Sequence, residues 1–318
     1  MRGEELTSVR AAVLRRHGEP PRIAEIGEPE ARGPGEVVLD MTSAAVNPLD
    51  RLVSQGKVAP DAPVPRILGV EGTGRAGSHR YVIHGSGIGL TRDGTFAQQV
   101  LAPRTALVPV PGAVTDDQAA LVSVSLATAV RIVQHTRSRP GEHALVLGAA
   151  GNVGRAVCTL LAGNDVRTTG QTSNPAKAGI ITAAGARPVI ASEPGQLPRA
   201  AGAPYDVIVD SLGGAWLRAA IDSAAYGARL VVFGASAGPE VTLDIPAVYR
   251  KGLMICGYGG VFEPPERLLE ATAEALGLVA EGRLDLAVGC RFPLAEAAAA
   301  FAALQSRKPG KILLDIQA

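Results

Sequence analysis

The sequence predicts an α/β protein in two parts, a β-rich part followed by a doubly wound parallel sheet covered by helices. Two textures carry this. Over residues 9–110, short apolar runs are broken at close intervals by Gly, Pro and Asn-Pro, the pattern of short strands joined by tight turns. From residue 115, continuous apolar runs alternate with helical stretches, as in a parallel sheet buried on both faces.

In the first part, strands are expected around Arg10-Ala11-Ala12-Val13-Leu14, Glu36-Val37-Val38-Leu39-Asp40 and Phe96-Ala97-Gln98-Gln99-Val100-Leu101, with Pro103, Pro109 and Pro111 marking the exit. Thr115, followed by Asp116 and Asp117, reads as a helix cap with acids in the first turn, opening a helix to about residue 134. Buried strands are expected at 144–147, 165–169, 206–210, 229–233 and 253–257. Helices should then cover about 265–281 and 294–306, the second alanine-dense, and 310–315 closes as a strand.

Composition excludes several classes. With 47% hydrophobic and 19% charged residues, the chain of 318 residues is a globular protein large enough for two domains. A formal charge of +1 gives no field for nucleic acid or an anionic membrane. At 3% aromatics, a base-stacking platform is also unexpected, and the core must be built from Ala, Val, Leu and Ile. No run approaches the roughly 18 apolar residues of a membrane span. The opening stretch, with Glu4 and Glu5, is unlike a secretory leader, and Cys158, Cys256 and Cys290 are few and scattered, so a cytoplasmic, reducing location is expected.

The strongest motif is Leu145-Val146-Leu147-Gly148-Ala149-Ala150-Gly151-Asn152-Val153-Gly154, an apolar strand entering a glycine-rich turn and then a helix. Gly148 permits the turn, Gly151 lets backbone approach a pyrophosphate, and Gly154 lets helix and strand pack closely. The helix start turns free N–H groups toward phosphate. An acid about 20 residues on would hold a ribose 2′-hydroxyl. Here the chain reads Thr168-Thr169-Gly170-Gln171-Thr172-Ser173-Asn174-Pro175-Ala176-Lys177, without an acid, and Asp165 comes too early, as a turn residue. Hydroxyls and Lys177 suit a 2′-phosphate, so NADPH is the expected cofactor.

The chain from 9 to 315 resembles the medium-chain dehydrogenase/reductase family. The blocks are Val46-Asn47-Pro48-Leu49-Asp50, Pro65-Arg66-Ile67-Leu68-Gly69-Val70-Glu71-Gly72-Thr73-Gly74, Asp93-Gly94-Thr95-Phe96-Ala97-Gln98, Leu126-Ala127-Thr128-Ala129, Val209-Asp210-Ser211-Leu212-Gly213, Phe233-Gly234-Ala235-Ser236 and Gly310-Lys311-Ile312. Each is weak alone; their order and spacing are specific. The resemblance implies a GroES-like domain of residues 1–114 and 261–318, a Rossmann domain of 115–260, a cleft between them, and a homo-oligomer, with a dimer favoured. It also implies the zinc-free quinone oxidoreductase or enone reductase branch. Zinc relatives put Cys where Asn47 stands and His where Val70 stands, and neither Asn nor Val replaces those ligands. The stretch from Gly74 to Gly94 is shorter than the family's, although Arg80-Tyr81-Val82-Ile83 can supply a strand there.

By position, the resemblance puts Asn47 and Thr128 beside the nicotinamide, and Gly148, Gly151, Asn152, Val153 and Gly154 at the pyrophosphate. Gln171, Thr172, Ser173 and Lys177 would face the adenosine ribose and its phosphate; Ser211, Phe233, Gly234, Ala235 and Ser236 would line the cofactor; Tyr258 and Lys311 would close its nicotinamide end. The implied chemistry is direct hydride transfer to a quinone or an α,β-unsaturated carbonyl, with Asn47 or Thr128 as donors to the developing oxyanion. Asp50 and Tyr258 are further catalytic candidates; for Asp50, capping the turn after Pro48 is an alternative of at least equal weight, and for Tyr258 the alternative is a place in the cleft wall. Two other functions stay open: a catalytically silent NADPH-binding protein, and an alcohol/ketone oxidoreductase.

Overall fold

The computed structural model describes residues 8–202, 204–306 and 309–318. The chain begins with β1 (Ser8–Leu14), β2 (Arg22–Gly27), β3 (Glu36–Val46), α1 (Pro48–Ser54), β4 (Arg66–Ile67), β5 (Glu71–Ala76), β6 (His79–His84), β7 (Gln99–Pro103), β8 (Leu107–Pro109) and α2 (Asp116–Ala120). The Thr115 cap forms as expected: its hydroxyl accepts from Gln118 N at 3.2 Å, and the Gln118 side chain reaches back to Thr115 N at 3.0 Å. The helix does not run on to 134. It stops at Leu121, a π-helical turn occupies Val122–Leu126, and α3 (Ala127–Thr136) follows.

Next come β9 (His143–Val146), α4 (Asn152–Gly163), β10 (Arg167–Thr172), α5 (Ala178–Ala183), β11 (Arg187–Ile190), α6 (Leu197–Ala201), β12 (Tyr205–Asp210), α7 (Gly214–Asp222), β13 (Ala224–Val232), α8 (Ile245–Arg250) and β14 (Met254–Gly257). The chain closes with α9 (Pro265–Ala280), β15 (Val288–Pro293), α10 (Ala297–Ala303) and β16 (Lys311–Asp315). The second expected helix is thus a short α-helix flanked by 3-10 turns, Leu294–Glu296 and Leu304–Ser306.

Two compact units result. One runs up to Ala127 and resumes at Glu263–Ala318; the other is Thr128–Phe262. The stretch 115–127, expected with the nucleotide part, packs with the first unit instead. The cause is local: Asp116 ties α2 to β5 and β6 through Arg75 at 3.0 Å and Arg80 at 2.8 Å.

In the first unit, β16 lies antiparallel to β3, which pairs with β5 and β7, and β5 pairs with β6. This register sets Ile312 opposite Val46, and Glu71 opposite His84. β1, β2 and β4 make a separate three-stranded sheet. The core holds Leu14, Leu39, Met41, Leu68, Ile83 and Phe96, with Phe301 meeting Phe96 edge-on at 6.0 Å.

In the second unit all six strands are parallel, in the order β11-β10-β9-β12-β13-β14. This is the doubly wound arrangement that binds dinucleotides beyond the carboxyl ends of the strands, where the winding reverses. Here that reversal lies between β9 and β12. The GroES-like and Rossmann fold class expected from the sequence is therefore the one observed. β14 forms an edge whose four residues are all exposed, Met254 at 55% and Ile255 at 39%. Among the described residues, no helix is long and apolar enough to cross a membrane.

Candidate active site

The glycine turn after β9 is built on three different demands. Gly148 has φ +68°, and a Cβ there would collide with Ser211 Oγ. A Cβ on Gly154 would meet Gly148 O at 2.6 Å, so this glycine lets α4 press onto the strand exit. Gly151 is different. It has φ −77°, open to any residue, and its Cβ would meet nothing nearer than Gly148 O at 3.3 Å. The protein's own packing does not demand glycine at 151; a group approaching from outside the loop would. Asn152 and Val153 begin α4, whose start has no side-chain cap, which leaves first-turn N–H groups for an anion. These residues fit the pyrophosphate of a dinucleotide.

β10 ends at Thr172, buried, with its hydroxyl accepting from Asn174 N at 3.2 Å. Ser173 is exposed and Lys177 half-buried at the end of the turn Pro175–Lys177. Gln171 is a correction. It is 1% exposed; its Oε1 accepts from Gly148 N at 3.1 Å and its Nε2 donates to Ala191 O at 2.8 Å. Its amide holds the glycine turn in place and does not face a ribose. Asp165, at φ +58°, is the expected turn residue.

The remaining strand ends adjoin this turn. Ser211 Oγ donates to Leu147 O at 3.0 Å, so its proton is spent inside the fold, and the Ser236 hydroxyl donates to Ser211 O at 3.0 Å. Gly234 sits where a Cβ would meet Ser211 O at 2.8 Å, and Ala235 packs against Gly213. Phe233 is half-buried and held by its N–H on Asp210 O at 2.9 Å. Tyr258, just past β14, is 7% exposed and packs against His135, ring centroids 5.6 Å apart. A Cβ on Gly260 would lie 3.3 Å from the Tyr258 hydroxyl and 3.9 Å from Thr128 Oγ1, so Thr128 and Tyr258 flank one small residue.

Asn47, Asp50 and Lys311 belong to a buried polar cluster in the first unit. The Lys311 ammonium, 3% exposed, donates to Glu71 Oε1 at 2.6 Å, to Ser125 Oγ at 3.2 Å and to Asn47 Oδ1. An ammonium only donates, so the Asn47 oxygen must face it. The Asn47 amide nitrogen then donates to Glu71 Oε1 at 2.9 Å and Ala45 O at 3.1 Å. The other Glu71 oxygen accepts from Ser123 Oγ at 2.8 Å and Val124 N at 2.7 Å. Burial alone would raise the Glu71 carboxyl, but the Lys311 charge and hydrogen bond, with those from Val124 and Asn47, outweigh it and hold it below the ordinary carboxylate range.

Two expectations are corrected here, for Lys311 and Asn47, and the open choice for Asp50 is decided. Lys311 has all three protons spent inside its own unit and none for a cofactor. Asn47 has both amide protons spent and offers no donor to an oxyanion. Asp50 is the cap: one oxygen accepts from Asn47 N at 2.7 Å and the other from Val70 N at 3.0 Å. Burial pushes its carboxyl up to about 7, against the pull of the Asn47 amide. Glu71, Ser123 and Ser125 were not singled out from the sequence. The available signal was an acid inside the apolar and glycine run Leu68-Gly69-Val70-Glu71-Gly72, where a buried carboxylate requires partners. Among the described residues, no three His, Cys, Asp or Glu gather as a metal site.

Comparison with known proteins agrees with this geometry. Residues 184–314 match the family model described as zinc-binding dehydrogenase. The chain is 27% identical to quinone oxidoreductase-like protein 2 of Rattus norvegicus, over 97% of this chain and 92% of that protein. An NAD-dependent alcohol dehydrogenase superposes with a TM-score of 0.86 at 29% identity, covering 96% of this chain and 99% of that one. The quinone oxidoreductase of Thermus thermophilus, solved also as its complex with NADPH, gives a TM-score of 0.84 at 30% identity, covering 96% of this chain and 100% of that one. These likenesses make the chain an oxidoreductase that works with a nicotinamide cofactor. With the strand order and the glycine turn already seen, the chain belongs to the medium-chain dehydrogenase/reductase family, in its quinone oxidoreductase branch.

Proposed function

We propose that the protein is a zinc-independent, NADPH-dependent reductase of quinones or α,β-unsaturated carbonyls. The observation that carries this is the saturated cluster around Asn47. By the resemblance, Asn47 would stand at the place of a zinc thiolate and Val70 at that of an imidazole, and both Glu71 oxygens are already occupied by Lys311, Asn47, Ser123 and Val124. This donor set does not fit zinc. A saturated ketone develops a localised alkoxide that calls for a Lewis acid or a strong proton donor, whereas a conjugated acceptor spreads the charge.

The bound dinucleotide supplies the hydride. Gly151, Asn152 and Val153 would hold its pyrophosphate, and Thr172, Ser173 and Lys177 its 2′-phosphate, since no acid stands at 168–177 to repel it. With the Asn47 amide spent, the Thr128 hydroxyl, which flanks Gly260 together with the Tyr258 hydroxyl, is proposed as the donor to the developing oxygen. The exposed β14 edge supports a dimer formed by pairing with a second copy, and the scattered thiols suit a cytoplasmic setting.

The test is consumption of NADPH against a panel of quinones, enones, saturated ketones and simple alcohols, with and without chelator. Quinones or enones should be reduced, chelator should change nothing, and labelled hydride should appear at the enone β-carbon. Brisk reduction of saturated ketones alone, or loss of activity with chelator, would refute the reading. In the same assay Lys177→Ala should weaken NADPH by about 1–2 kcal/mol and leave NADH nearly unchanged.

A further inference from the structure

The chain leaves its first unit through an unusual joint. The π-helical turn Val122–Leu126 runs without a break into α3, whose second residue is Thr128, and the boundary of the units falls between Ala127 and Thr128. Three consecutive residues of that turn are hooked by one buried ion pair. Glu71 takes the Ser123 hydroxyl at 2.8 Å and the Val124 N–H at 2.7 Å; Lys311 takes the Ser125 hydroxyl at 3.2 Å. An N–H drawn to a side-chain carboxylate leaves the regular helical ladder, which accounts for the widened turn. Such turns are costly and recur at functional positions.

We infer that Glu71 and Lys311 are positioning residues that act through this turn: the ion pair locks Val122–Leu126 and thereby fixes where α3 and the Thr128 hydroxyl begin. This rests on the proposed role of Thr128 and extends it to residues that never touch a substrate. The geometry favours it over a purely stabilising pair. A buried ion pair gives little net stability, because desolvation offsets the attraction. Here its hydrogen bonds converge on one short segment, from β5 on one side and β16 on the other. The charge of Lys311 keeps Glu71 ionised, and an ionised carboxylate can accept from Ser123, Val124 and Asn47 together.

The experiment uses the full chain and reads hydrogen exchange over residues 122–128, NADPH affinity, and the kcat and KM of the best acceptor. Ser123→Ala combined with Ser125→Ala removes the two hydroxyl hooks, leaves the Val124 N–H on Glu71 and keeps the ion pair, so its melting temperature should stay near wild type. Exchange of the turn should then rise about tenfold and kcat fall several-fold, with NADPH affinity changed less than twofold, because the phosphate-binding turn is untouched. Lys311→Met should do the same and also lower the melting temperature, since it strands a buried carboxylate; Lys311→Arg should restore much of kcat. Wild-type exchange and kcat in the double serine variant would overturn the lock. A loosened turn with unchanged kcat would overturn its link to Thr128. If the wild type itself reduces no acceptor, the reductase reading falls, while the exchange data still decide whether the ion pair holds the turn.

Discussion

Asp50 shows how one side chain can carry two meanings in a sequence. Beside Asn47 and Pro48 it fits a catalytic acid or a helix cap, and only the position of Val70 decides, because both oxygens then go to backbone N–H groups. Its titration is still consequential. Its folded value, about 7, lies above the ordinary 3.8. Between those two values the folded protein holds a proton that the unfolded chain has lost. The contribution of Asp50 to stability is therefore best below that window and falls as pH rises through it. Glu71, whose value is lowered, behaves oppositely, but its contribution is lost only as pH falls below its ordinary 4.5. Urea midpoints at about pH 5 and about pH 8 should show the wild type losing about 1–3 kcal/mol relative to Asp50→Asn. Parallel pH dependence of the two proteins would show that Asp50 does not titrate there. The sequence made Asn47 and Lys311 visible as site residues but not their partners, because a buried network is closed by residues far apart in the chain. Lys311 and Glu71 are one such pair, 240 positions apart.

The element most legible in the sequence was the strand–glycine–helix unit after Leu145, because each glycine leaves a local signature. Its three glycines can now be separated by experiment. Gly154→Ala drives a Cβ to 2.6 Å from backbone oxygen and should cost about 1–3 kcal/mol of stability as well as cofactor binding. Gly151→Ala should leave stability within about 0.5 kcal/mol and still weaken NADPH by about tenfold, which is about 1.4 kcal/mol. Equal loss of stability in both would mean that Gly151 serves the fold alone. Less legible were β11 and β15, both at sheet edges. β11 carries Pro188, which an edge strand tolerates, and β15 is largely exposed, so neither shows a buried apolar run. Opposite β11 in the same sheet, the edge strand β14 is apolar where edges are usually charged, with exposed Ile245 and Tyr249 close by in sequence on α8. Ile255→Lys should therefore convert a dimer to a monomer in light scattering. A monomeric wild type would refute the pairing.

At the level of the whole chain, two units were readable from texture alone, since alternating apolar strands and helices differ from short strands broken by Gly and Pro. The place where one unit gives way to the other was not readable. The Thr115 cap is a true helix start, yet α2 stays with the first unit through Arg75 and Arg80 on neighbouring strands. That first unit is also discontinuous, and a ribosome meets this fact before any solvent does. Glu71 emerges early, but Lys311, its counter-ion, is made only after all of Thr128–Phe262 has been translated. The nucleotide-binding unit is one uninterrupted stretch and can complete its sheet while the other still lacks β16. Assembly should therefore run from the middle of the chain outward. In ribosome-bound chains stalled before β16 emerges, amides of β9 and β12 should be protected while those of β3 and β5 are not, because the nascent first unit must wait, with a carboxylate unpaired, for a strand that arrives about 240 residues later.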